Sequence, residues 1–282
     1  MRTLLFTLMI LSAASAVPGA ARIEVHGHRG TRGMRPENTI PAFEYAIAHG
    51  VDVLELDMYV TKDNVVVVSH DPTLHAPICT GGPKASAVIK DSTLAELRQW
   101  DCGAMKNPQF KRQEPVPGTR IPTLDDVFNL ASKGSFRFNI ETKSEVEHPE
   151  WTPEPREFVE RVLAVIRKHH LEKRVILQSF DFRTLHEMKK LAPEIELAAL
   201  YSGKAKSFVE IGKEGGALWI SPEYRLVTKE QVAAAHAGGF KVVPWTANEP
   251  AEWDRLADAG VDAIITDYPA DLVEHLKAKG LR

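Results

Sequence analysis

Residues 25–30 read Val25-His26-Gly27-His28-Arg29-Gly30, and the fold is read outward from them. The apolar run from Ile23 to His28 is a short strand, and Gly30 to Gly33 is a turn. Pro36-Glu37-Asn38-Thr39 then opens a helix, with Asn38 as its N-cap and Pro41 tolerated in the first turn. Phe43, Ala46 and Ile47 give that helix an apolar face, and Gly50 ends it. Val51 to Val60 is the next strand. Lys62-Asp63-Asn64 turns the chain back through Val65 to Val68, as a hairpin, to His70.

Beyond Thr123 the same rhythm returns. Strands are expected at Phe136 to Glu141, Val175 to Ser179, Leu197 to Tyr201, Leu218 to Ser221, Lys241 to Thr246 and Ala263 to Thr266. Helices centred on Glu160, Leu185, Val209, Ala233 and Leu256 separate them, and a last one follows Pro269. Strands counted as helix-separated units end near His28, Asp57, Glu141, Ser179, Tyr201, Ser221, Thr246 and Thr266, which makes eight. Eight such units argue for an α/β fold of the (β/α)₈ barrel type, which typically needs about 250 residues. A doubly wound open sheet is the rival, but no Gly-x-Gly-x-x-Gly turn opens a helix here. From Pro72 to about Pro122 the pattern loosens around one helix near Thr93 to Trp100. This segment reads as an insertion after the second strand and its hairpin, without a core of its own. It is longer than ordinary connections, as lids and substrate-facing segments are.

The 282 residues are 44% hydrophobic and 26% charged, with a net charge of -3. Such a balance offers no basic field for nucleic acid or an anionic membrane, so any anion site must be local. Residues 1–21 differ in kind. Met1-Arg2 is a positive start, Leu4 to Leu11 an apolar stretch, and Ala14-Ser15-Ala16 a small-residue cleavage pattern. These mark a signal peptide cut after Ala16 or, further on, Ala21, leaving 22–282 as one domain, exported to a periplasm or outside the cell. Export would put Cys79 and Cys102 in an oxidising compartment, where they can pair; two free thiols are the alternative.

The chemistry lies at the strand ends. Residues two apart on a strand share a face about 6.5 Å apart, so Glu55 pairs with Asp57, Glu141 with Lys143 and Gln178 with Phe180. Barrel enzymes build their sites at these C-terminal ends. Glu55, Asp57 and Glu141 form an all-oxygen set suited to a hard divalent cation, Mg²⁺ or Ca²⁺. The competing reading makes them ion-pair partners of Arg29 and Lys143. His28 and His70 are candidates for an acid/base pair. His26, one layer deeper, reads as packing. Arg29 and Lys143 supply positive charge for an anionic oxygen. No serine or cysteine stands in a triad context, so the residues alone reach as far as hydrolysis of a phosphate ester, a diester before a monoester.

At this point the order of motifs becomes familiar. His28-Arg29-Gly30, Pro36-Glu37-Asn38-Thr39, Gly50-Val51-Asp52, Glu55-Leu56-Asp57, Thr61-Lys62-Asp63 and His70-Asp71 resemble the glycerophosphodiester phosphodiesterase family. So do Glu141-Thr142-Lys143, Gln178-Ser179-Phe180, Trp245-Thr246-Ala247-Asn248 and Thr266-Asp267-Tyr268-Pro269. The resemblance implies a TIM barrel that cleaves glycerophosphodiesters to an alcohol and sn-glycerol 3-phosphate with a divalent cation, usually Ca²⁺ or Mg²⁺. By motif, His28 and His70 resemble the family's acid/base pair, and Glu55, Asp57 and Glu141 its metal ligands. Arg29 and Lys143 look like its phosphate contacts, and Phe180 and Trp245 like an apolar wall beside the glycerol group. Asn64 stands where the family commonly has Gly, and Cys79 and Cys102 fall outside the pattern. The expected partner is a small glycerophosphodiester, with no nucleic acid and no stable membrane insertion. A lipid-directed phospholipase C or D is the near rival, and a non-catalytic phosphodiester binder the distant one.

Overall fold

Eight parallel strands wrap into a barrel because each is followed by a helix that returns the chain to the same end. The computed structural model describes residues 22–282, so the signal-peptide reading lies outside the described residues. The strands are β1 (Glu24–Gly27), β2 (Val53–Val60), β3 (Val66–Val68), β4 (Thr73–Leu74), β5 (Ala87–Val88), β6 (Arg137–Thr142), β7 (Val175–Ser179), β8 (Glu196–Tyr201), β9 (Trp219–Pro222), β10 (Lys241–Val242) and β11 (Ala263–Thr266). The barrel order is β10-β9-β8-β7-β6-β2-β1-β11, with β3 antiparallel on the outer part of β2. The seam between β10 and β11 is carried by backbone bonds from Asp262 N to Val242 O (3.0 Å), Ile265 N to Pro244 O (2.9 Å) and Ala247 N to Ile265 O (3.2 Å). The eight expected units are therefore the eight barrel strands.

Inward-facing side chains fill the barrel, and its axial end farthest from the site is sealed by charge. Arg137 spans Glu196 (3.1 Å) and Glu24 (3.2 Å), and Trp219 Nε1 donates to Glu196 at 2.7 Å. Above this plug Ile176, Ala198, Val243, Ala263 and Ile265 are buried together. His26 lies among them, fully buried, 6.3 Å from the Trp219 ring, with burial pushing its imidazole toward the neutral form. A second shell of apolar residues packs the outer helices onto the strands; the Pro155–Lys168 helix, for example, buries Phe158, Val162 and Ile166.

Several local expectations shift by a residue or two for identifiable reasons. Thr39, not Asn38, caps the first helix (Ile40–Ala48): the Thr39 hydroxyl accepts from Ala42 N, while Asn38 turns away to the site. The strand expected at Lys241 to Thr246 is regular only over Lys241–Val242, but backbone bonds from Val243 N to Ile220 O (2.9 Å) and from Trp245 N to Pro222 O (3.0 Å) carry the pairing with β9 on to Trp245. The insertion is less bare than expected. Tyr59 and Val67 of the hairpin join Leu74, Cys79, Ile89, Leu97, Trp100, Cys102 and Ile121 in a separate buried cluster.

Cys79 and Cys102 are bonded to each other inside that cluster, 23 residues apart in sequence. Closing a loop of that length stabilises by about 3 kcal/mol on the chain-entropy model. Replacing both cysteines with serine is therefore expected to lower Tm by roughly 6–12 °C. A calorimetric scan showing an unchanged Tm would refute a structural role for the bridge.

Candidate active site

The residues at the β1 end are placed by two close backbone approaches. A Cβ at Gly27 would sit 2.2 Å from Gly30 O, and one at Gly30 would sit 2.9 Å from Ala42, with Gly30 at φ +82°. Only glycines allow the chain to fold back this tightly onto the first helix. Arg29 between them takes φ 48°, an unfavourable value for an arginine, and its backbone N–H is thereby aimed at Glu55 Oε2, 2.8 Å away. Asn38 also takes a left-handed φ of 55°, and its Nδ2 donates to Asp57 Oδ2 at 2.9 Å.

One cavity of about 190 Å³ at the C-terminal ends of the strands collects these groups. Its lining includes His28, Arg29, Glu55, Asp57, His70, Glu141, Lys143, Phe180 and Trp245. All nine residues singled out in the sequence are thus brought together, and His26 is not among the lining. Phe180 and Trp245 meet edge to face at 5.6 Å, and Phe180 is 44% exposed at the rim.

The carboxylates Glu55, Asp57 and Glu141 are buried, and each offers an oxygen within 4.8 Å of the others. Arg29 reaches Glu37 Oε1 at 2.5 Å, and its Nε lies 3.2 Å from Asp57 Oδ2, close enough for an ion pair without hydrogen-bond alignment. Lys143 Nζ lies 3.0 Å from Glu141 and 3.7 Å from Asp57. The ion-pair reading and the cluster reading thus hold together in one place. Burial alone would raise Asp57, but Arg29 and Lys143 outweigh it and hold Asp57 ionised well below the usual range. Burial and that neighbouring charge push Glu55 up, and push Glu141 up to about 7. Three buried carboxylates that cannot all ionise comfortably are a donor set that a hard divalent cation fits. Such a cation would be held by Glu55, Asp57 and Glu141, and would supply charge stabilisation for a phosphoryl oxygen.

Several site residues escaped the sequence reading. Gln178 Nε2 donates to Glu55 Oε1 at 2.7 Å, and Asn139 Nδ2 fixes the Gln178 amide by donating to its Oε1 at 2.9 Å. The shared face of Gln178 and Phe180 was the available signal. Asp267, buried in the Thr266-Asp267-Tyr268-Pro269 motif, accepts from His28 Nδ1 at 2.6 Å. Glu37 stood in the quoted Pro36-Glu37-Asn38-Thr39 motif without a hint of its partner, and Arg32 carried no signal beyond nearness to the opening stretch. His70 Nδ1 is held at 2.7 Å by its neighbour Asp71.

A barrel whose mouth joins two histidines, clustered carboxylates and two cations defines a phosphoric diester hydrolase, and comparison with known proteins gives its kind. The model of the glycerophosphoryl diester phosphodiesterase family matches residues 28–271, and the chain belongs to that family. A glycerophosphodiester phosphodiesterase of Caldanaerobacter subterraneus subsp. tengcongensis is 35% identical over 91% of this chain and 98% of its own. A glycerophosphoryl diester phosphodiesterase structure from Silicibacter pomeroyi superposes with a TM-score of 0.85 at 32% identity, covering 92% of this chain and 95% of the other. A phosphodiesterase of Oleispira antarctica, solved in complex with the product sn-glycerol-3-phosphate, gives 0.77 at 25% identity over 90% and 96%.

Proposed function

We propose that this enzyme is an exported, divalent-cation-dependent glycerophosphodiester phosphodiesterase releasing an alcohol and sn-glycerol 3-phosphate by two-histidine acid/base catalysis. The observation that carries the reading is the single cavity that both histidines share with Glu55, Asp57 and Glu141. His28 Nδ1 faces a carboxylate and therefore carries its proton, which leaves Nε2 as the free nitrogen of a neutral ring. That nitrogen suits a base that takes the proton of the attacking group, either water or the substrate's own neighbouring hydroxyl, in which case water then opens the cyclic phosphate. His70, anchored through Nδ1 by Asp71, is then the acid that protonates the departing alkoxide. Arg29 and Lys143 add positive charge beside the phosphoryl group, and Phe180 with Trp245 form the apolar wall for the three-carbon part. No helix of the described residues is long and apolar enough to cross a membrane. The disulfide supports an oxidising destination.

The test is a panel of glycerophosphodiesters with Mg²⁺, Ca²⁺ or chelator, following sn-glycerol 3-phosphate. Activity is expected to vanish with chelator and return with one of the two ions, because the clustered carboxylates need a cation between them. Full activity in chelator would sink the metal assignment, and preference for lysophosphatidylcholine over glycerophosphocholine would favour the lipid-directed rival. Mass measurement of the exported chain should find a mature start at Val17 or Arg22; an uncut chain would refute export.

A further inference from the structure

Asp267, just past β11, is 1% exposed, and both of its carboxylate oxygens accept hydrogen bonds. Its Oδ1 accepts from His28 Nδ1 at 2.6 Å and from Arg32 Nε at 2.7 Å. Its Oδ2 accepts from Asn248 Nδ2 at 2.8 Å, while Asn248 Oδ1 takes the Asp267 backbone N–H at 2.9 Å. A carboxylate against an imidazole ordinarily draws a second proton onto the ring. Here a guanidinium already neutralises the same oxygen. The charged groups nearest the ring are Asp267 from the end of β11 and Arg29 and Arg32 from the turn after β1. The same cavity is also lined by Glu55 and Asp57 of β2, Glu141 and Lys143 at the end of β6, and His70. Burial first and Arg32 next outweigh Asp267 and hold the His28 ring down at about 4.

Arg32 is in turn gripped by the insertion. The ring of Phe110, itself 3% exposed, lies 5.0 Å from its guanidinium carbon. Gln113, also 3% exposed, donates from Nε2 to Arg32 O at 2.7 Å and to Arg35 O at 3.3 Å, and its Oε1 accepts from Asn107 N. We propose that Arg32 is a positioning residue for His28, neutralising Asp267 so that His28 stays a neutral Nδ1–H tautomer, and that Phe110 and Gln113 of the insertion hold Arg32 in register. The insertion thereby carries part of the catalytic geometry, beyond any contact with the head group. This rests on His28 acting in proton transfer, as proposed above.

The experiment is the pH dependence of kcat/KM for glycerophosphocholine in the full-length mature enzyme with its cation. In Arg32→Met, Asp267 faces His28 alone, so the acidic limb is expected to move up by about one pH unit or more. Arg32→Lys should move it back, and Gln113→Ala should move it in the same direction by less. A raised KM with the limb unmoved would overturn the proposal and leave Arg32 as a substrate contact. Should Arg32→Met fail to fold, ring ¹⁵N shifts of His28 in the unaltered protein decide. The Nδ1–H neutral tautomer is expected between pH 5.5 and 8 (a range chosen about the ordinary imidazole value of roughly 6.5), and an imidazolium there would overturn it. Unimpaired activity of His28→Ala would instead sink the underlying functional reading, so the two failures are separable.

Discussion

Replacing His28 with alanine is expected to lower kcat/KM for a glycerophosphodiester by about 10²- to 10⁴-fold, the usual contribution of a positioned acid or base. That is roughly 3–5 kcal/mol of transition-state stabilisation. The fold should survive the change, because Asp267 keeps Arg32 at 2.7 Å and Asn248 at 2.8 Å once the imidazole is gone. No buried charge is stranded, which is the usual route to a large loss. Activity and thermal melting must be measured on the same preparation. A variant that melts normally but keeps activity within tenfold would remove His28 from the chemistry.

The second large effect is on stability. Arg29 is almost wholly buried between Glu37 at 2.5 Å and Asp57 at 3.2 Å, and burial of its guanidinium is more than offset by those two carboxylates, which raise its pKa. Arg29→Met keeps most of the volume but leaves buried Glu37 without its counter-ion and Asp57 with only Lys143, 3.7 Å away. Breaking a buried pair from one side typically costs about 3–5 kcal/mol, or roughly 6–20 °C in Tm for a chain of this size. Its pH dependence has a definite sign. Asp57 is depressed in the folded state, so its contribution is complete above its unfolded value near 3.9 and is lost as pH falls. The deficit of the variant should therefore shrink as pH is lowered from 7 toward 3, when protonation removes the stranded charge. A deficit constant over that range would show that packing around Arg29, rather than its charge, supplies the stability.

These two residues also show how sequence and structure divide the information. His28 and Arg29 were visible because strand ends bearing charge stand out against apolar runs, and the period of two assigns faces without coordinates. Glu55 and Asp57 followed by the same rule, and Glu141 with Lys143 by its repetition one barrel strand later. Asp267 stood in a quoted motif yet gave no hint of its partner, since His28 lies 239 residues away in sequence. Gln178 and Asn139 are ordinary strand polar residues until the neighbouring β6 and β7 register sets them against Glu55. The N-cap went to Thr39 for the same reason: local propensity favours Asn38, but its side chain meets Asp57 from the next strand.

Eight strand–helix units, the family, and nine of the residues that line the cavity were legible in the chain, because those depend on periodicity and on contiguous motifs. Tertiary structure alone decided which charges meet. The split of Asp57 downward and Glu55 and Glu141 upward, the tautomer of His28, and the grip of the insertion on Arg32 all depend on distances across the closed barrel. Coulombic and hydrogen-bond energies fall off over a few ångströms, and nothing in the spacing of residues along the chain records those separations.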